Sequence, residues 1–96
     1  MSLKTGIRFS ESAVADMNNI LAYYEEQGVP ATGQRLVAEI VAYIETLAHH
    51  PDIGRIVSEF NVTNLRELIH PPFRIVYRCD ANKIRIIRVW RSESVN

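Results

Sequence analysis

Seven cations crowd into the last third of this chain, and the chemistry they offer is anion recognition. Between residues 65 and 91 stand Arg66, Arg74, Arg78, Lys83, Arg85, Arg88 and Arg91 against only Glu67 and Asp80, a net of +5, whereas residues 1–64 carry four bases and eight acids. A guanidinium binds phosphate or carboxylate through paired N–H donors. Breaking a phosphodiester needs more, because a proton must also leave one oxygen and reach another. The groups available for that are Tyr77 and His70. Tyr77 alternates with Phe73 and Ile75, which reads as a core aromatic with its hydroxyl satisfied, and His70, ahead of Pro71-Pro72, reads as a loop residue. His49 and His50 close the second helix, where a histidine suits the helix dipole, and lie far in sequence from His70. The three make no metal-ligand pattern, so neither a metal nor a cofactor is expected.

The overall charge of zero therefore conceals a polarised molecule. It also argues against a general nucleic-acid-binding module, as does the lack of the aromatic ladder that single-strand binders use. Cys79 is the only cysteine, which excludes an intramolecular disulfide and fits a small apolar filler within a strand. No run approaches the roughly 20 apolar residues that span a bilayer, and Met1-Ser2-Leu3-Lys4 opens without the apolar core of a signal peptide. The expectation is a cytoplasmic protein with no membrane contact, residues 1–96 making a single domain.

Elements that position the cations follow from the pattern. Residues 4–9 lean towards a strand, and Ser10 with Glu11 marks a helix start. Val14, Met17, Ile20, Leu21 and Tyr24 keep the spacing of one helical face until Gly28, and the acids Asp16, Glu25, Glu26, Glu39 and Glu45 read as a solvated face of the helices. Pro30 opens a second helix with a broader stripe through Leu36, Val37, Ile40, Val41, Tyr43, Ile44 and Leu47, bounded by Pro51. So short a link folds the two into an antiparallel hairpin. Pro51 to Gly54 reads as a turn, and residues 55–62 as a crossing segment anchored by Ile56, Val57 and Phe60.

Three strands are expected near residues 63–69, 73–79 and 83–91. In the middle one Phe73, Ile75 and Tyr77 face the helices and Arg74, Val76 and Arg78 face away. Strict alternation in the last strand groups Ile84, Ile86, Arg88 and Trp90 against Arg85, Ile87, Val89 and Arg91, mixed on both sides, so this strand is either central or bulged. A bulge near Ile86-Ile87 would put Arg88 on the face of Arg74. For Arg66 a salt bridge to Glu39, Glu45 or Glu67 competes with a role in partner binding, and Trp90 either closes the core or anchors an interface.

The turn Pro51 to Arg55, then Leu65-Arg66-Glu67-Leu68, Phe73-Arg74-Ile75-Val76-Tyr77-Arg78 and Ile84-Arg85-Ile86-Ile87-Arg88-Val89-Trp90, resemble in order and spacing the RelE/ParE superfamily of toxins from bacterial type II toxin–antitoxin systems. The likeness is closer to the ParE, or plasmid stabilisation, branch. It implies an α+β fold in which an N-terminal strand and an antiparallel helix hairpin pack on one face of a mainly antiparallel, about four-stranded sheet. It implies a cognate antitoxin whose disordered acidic segment folds onto the toxin, in a homodimer or a toxin–antitoxin hetero-oligomer.

Two activities divide the superfamily. ParE-like members inhibit DNA gyrase and RelE-like members cleave mRNA on the ribosome. By the resemblance, Arg74 matches a phosphate-contacting arginine of the ribonucleases, Arg66 matches the arginine of the preceding strand, and Arg88 or Arg91 falls where another cation belongs. The chain departs from the ribonucleases in having no lysine in or just before the strand at 63–69 and no tyrosine or histidine after Arg91. Gyrase inhibition is thus the expectation and growth inhibition its consequence, with the partner-binding set Arg66, Arg74, Arg78, Arg88, Trp90 and Arg91.

Overall fold

Ser10 is where the first strand becomes a helix. In the computed structural model, which describes residues 6–57, 64–81 and 83–91, β1 (Gly6–Phe9) ends there and α1 (Glu11–Glu26) begins. The Ser10 N–H donates to the Ile86 carbonyl at 2.9 Å, and its Oγ accepts the Ala13 N–H at 3.0 Å. That hydroxyl also donates to the Ile87 carbonyl at 2.8 Å, so one side chain caps the helix and ties it to the sheet. The inward stripe of α1 runs through Ala13, Met17, Ile20 and Tyr24. Val14, expected on that stripe, stands one position round the helix and is 44% exposed. Small Ala13 allows the closer approach to the sheet.

The helix stops at Gly28, whose φ of 79° is open to glycine at little cost. Gly28 N–H bonds to Glu25 O and Val29 N–H to Tyr24 O, the paired bonds of a Schellman cap. α2 (Pro30–Glu45) then returns, and a Cβ on Gly33 would lie 2.9 Å from Tyr24 Cβ, which shows how closely the two helices touch. Ile40, Ile44 and, in the following turn, Leu47 enter the same core as Leu68, Phe73, Ile75, Tyr77, Ile84, Ile86 and Val89. No helix among the described residues is long and apolar enough to cross a membrane.

Among the described residues five strands make one sheet, one more than expected. Its order is β1-β5-β4-β3-β2, where β2 is Arg55–Ile56, β3 Leu65–His70, β4 Phe73–Asp80 and β5 Lys83–Arg91. The extra strand is the crossing segment itself, which pairs antiparallel with β3. Val57 is buried as expected, whereas Ile56 is exposed. Phe60 lies outside the described residues. His70 is the last residue of β3, not a loop residue. β1 runs parallel to β5, and every other pair is antiparallel.

β5 is both central and bulged. Val76 pairs with Arg88 but Tyr77 with Ile86, which leaves Ile87 as the extra residue. Its displaced carbonyl is the one that Ser10 Oγ bonds. Alternation therefore restarts at the bulge, and Ile84, Ile86 and Val89 all reach the helix side.

Candidate functional site

The bulge decides which cations share a surface. Lys83, Arg85, Arg88 and Trp90 join Arg74, Val76 and Arg78 on the face away from the helices, and Arg91, paired with Phe73, turns to the helix side. Arg66, paired with Tyr77, also faces the helix side. Of the six sequence-predicted partner residues, the structure thus gathers Arg74, Arg78, Arg88 and Trp90 on one face and separates Arg66 and Arg91 from them. Trp90 is half-buried on that outer face, outside the core cluster, with the Arg88 guanidinium 5.0 Å from its ring centroid.

Two of these arginines are held by acids that the fold has largely buried. Glu67, with only 1% of its side chain exposed, receives Nε–H bonds from Arg55 across the β2–β3 pair and from Arg74 on β4. Arg88 donates from Nε and Nη2 to the two carboxylate oxygens of Asp16, both at 2.8 Å. Asp16 Oδ2 also accepts the Val89 N–H at 2.9 Å. β1 ends opposite Ile86, so this carboxylate takes over an edge of β5 that has no strand beside it. Burial opposes ionisation of Asp16, but the Arg88 hydrogen bonds, the Val89 N–H and the Arg88 charge outweigh it and hold the carboxyl below its ordinary 3.8. The hydrogen bond to Asp16 likewise raises the Arg88 guanidinium above its ordinary value. Asp16, expected on a solvated helix face, is instead 10% exposed and part of the sheet's edge.

The other candidates are placed as follows. Arg66 Nη1 donates to the carbonyls of Asp52 and Gly54, at 3.2 and 2.8 Å, rather than to the Glu39, Glu45 or Glu67 carboxylates that the sequence offers as one alternative for it. Arg91 lies 6.0 Å from the ring centroids of Tyr23 and Phe73, its Nη1 3.4 Å from Tyr24 Oη. Tyr77 is fully buried, its hydroxyl donating to Pro51 O and accepting the Gly54 N–H, both at 2.9 Å. Burial pushes its pKa above 10.0. His70 Nε2 lies 3.2 Å from Glu39 Oε1, and the His70 ring and Arg35 together hold the Glu39 carboxyl below its ordinary 4.5. On the outer face, among the described residues, the acids are therefore Glu67 and Asp80, and both are paired with arginines. No cluster of three or more His, Cys, Asp or Glu suited to a metal occurs among the described residues.

Arg8 and Arg85 were not among the expected site residues. Arg8 pairs with Arg85 and Arg85 with Arg78, so three neighbouring strands place an arginine at the same level of the same face. All three are exposed. The signal was present in the sequence, but reading it required both the parallel register of β1 and the position of the bulge. Away from this row, at the other end of β5, a cleft of about 480 Å³ lies between α1 and the strand's last residues, lined by Ile20, Tyr23, Tyr24, Phe73, Trp90 and Arg91 among others.

A family model described as the ParE toxin of type II toxin–antitoxin systems, parDE, matches residues 7–95. Among solved structures, a chain of the chromosomal ParDE toxin–antitoxin system from P. aeruginosa is similar, with a TM-score of 0.79 at 24% identity, 96% of this chain and 100% of that one being covered. A chain of the toxin–antitoxin complex RelBE2 from Mycobacterium tuberculosis gives a TM-score of 0.68 at 20% identity, over 92% and 98% of the two chains. No curated protein matches significantly.

Proposed function

We propose, starting from the premise that this chain belongs to the ParE toxin family of type II toxin–antitoxin systems, that it acts by binding and not by bond cleavage, with DNA gyrase as target and a cognate antitoxin as its partner in the cytoplasm. The observation that carries this reading is the fate of the groups able to move protons. The Tyr77 hydroxyl is buried and engaged with Pro51 and Gly54, and His70 is turned to Glu39. A site for phosphodiester cleavage needs an acid or base beside its cations, and among the described residues the outer face offers only carboxylates already paired with arginines.

The antitoxin's place in this reading is the cleft between α1 and the end of β5. Its aromatic and apolar lining beside Arg91 and Trp90 suits an amphipathic acidic segment that folds on contact.

The test is direct. Purified protein is added to gyrase in a supercoiling assay, and in parallel it is induced in cells while the DNA-damage response and the integrity of mRNA are followed. Loss of supercoiling with a damage response and intact mRNA is the expected result. Messenger RNA cut within codons while supercoiling proceeds normally would transfer the function to the ribosome-dependent ribonucleases.

A further inference from the structure

We infer that the row Arg8–Arg85–Arg78 is a docking site for the phosphate backbone of duplex nucleic acid, gripped without regard to sequence. The inference concerns the chain alone and holds whether or not gyrase is the target. It begins with register. Arg85 on β5 is the cross-strand partner of both Arg8 on β1 and Arg78 on β4 on the outer face, and all three are exposed. Like charges set directly opposite in a sheet oppose folding, so the row has no evident reason within the fold. Among the described residues one carboxylate answers it, Asp80 at 2.9 Å from Arg78 Nε, and this pair is half-exposed on both sides. Lys83, exposed on the same face two residues before Arg85, adds a fourth cation.

Geometry and chemistry then select the ligand. Adjacent strands lie about 4.8 Å apart, so the row spans roughly 10 Å. Successive phosphates of one strand of a duplex rise about 3.4 Å along its axis, which sets about three of them beside three guanidinium groups. Arginine binds phosphate through two donors at once. An acidic protein segment would need apolar anchors as well, and the exposed large hydrophobics of the described residues, Val14, Tyr23, Val29, Ile53, Ile56 and Ile69, all lie outside β1, β4 and β5. A single strand would need aromatic platforms, and none of the row's cross-strand partners is aromatic. The chain's zero net charge obscures this concentration because most of its acids lie on the helices and in the loops.

Fluorescence anisotropy of the purified full chain with a labelled 20-base-pair DNA duplex of arbitrary sequence, from 50 to 200 mM salt, tests the assignment. A poly-glutamate peptide of equal charge is run as the competing ligand. The expected result is binding whose logarithm falls against log salt with a slope of about −2.7, from three phosphate contacts. Arg85→Ala weakens binding several-fold and lowers the slope by about 1, the triple alanine variant abolishes it, and Arg35→Ala on α2 leaves it unchanged. Circular dichroism of each variant separates lost binding from lost folding. Unchanged affinity and slope in the folded triple variant would overturn the assignment. So would tighter binding of poly-glutamate through the same three arginines, which would make the row a protein interface.

Discussion

One sheet face carries two groups of arginines on either side of the β5 bulge, and they are put to opposite uses. Towards the β2–β3 side and the end of β5, Arg55, Arg74 and Arg88 are bound to acids that the fold has taken out of solvent, Glu67 and Asp16. Across the bulge, Arg8, Arg85 and Arg78 stand in register with one exposed carboxylate among them. Residue type is the same at both ends, so the difference lies in where a buried acid has been placed. The first group holds the architecture, and the second is charge that the fold tolerates.

The first group is the more sensitive to change, and the largest effect is expected where its backbone is tightest. A Cβ on Gly54 would fall 2.6 Å from the Tyr77 ring and hydroxyl and 2.7 Å from the Glu67 carbonyl. Gly54→Ala must therefore displace the turn that Tyr77 and Arg66 anchor, with an expected loss of about 3 kcal/mol, read as a lower urea midpoint. Glu67→Gln comes next. It leaves two guanidinium groups facing a neutral amide, and because Arg55 is largely in water the expected loss is about 2 kcal/mol, less than for a fully buried pair. If Glu67→Gln were as stable as the parent, the division between structural and available arginines would collapse.

Asp16→Ala probes the other acid. It removes three hydrogen bonds, two from Arg88 and one from Val89, with an expected loss of about 1.5 kcal/mol at pH 7. The sign of its pH dependence is fixed. The folded pKa is below 3.8, so the carboxylate stabilises the fold above that value and loses its contribution as pH falls through the folded pKa. The stability difference between parent and variant should shrink over that acidic interval and be unaffected between pH 5 and 8. A gap that persisted to the lowest pH would mean that Asp16 acts through packing instead of charge.

How far the sequence disclosed this arrangement can be judged from particular residues. Ser10, Gly28 and Pro30 marked the helix hairpin because capping and turn chemistry are local, and Phe73, Ile75 and Tyr77 marked the buried face because period-2 alternation in β4 is unbroken. The alternation of β5 is broken, and its two candidate explanations both turned out to apply. What stayed hidden depended on contacts between distant residues. Asp16 meets Arg88 across 72 positions, Glu67 serves two strands at once, and Arg8 joins Arg85 through a parallel pairing that no local pattern encodes. Trp90 followed the bulge to the outer face, so of the two places open to it the one in the core was lost with the register.

The smallest effect has the opposite sign and tests the second group most sharply. If Arg8, Arg85 and Arg78 repel one another, removing the middle charge relieves two unfavourable neighbours, so Arg85→Ala should stabilise the folded chain by about 0.5 kcal/mol at low salt. The gain should fade as salt rises, because exposed charges are screened over about 10 Å at 0.1 M and about 3 Å at 1 M. Arg74→Ala, which leaves buried Glu67 with Arg55 alone, should be destabilising under the same conditions, as it would not be if both arginines of this sheet face were merely solvated. Urea unfolding of both variants at low and high salt makes the comparison. A destabilised Arg85→Ala would mean that this arginine serves the fold after all, and the two ends of the face would then differ in degree and not in kind.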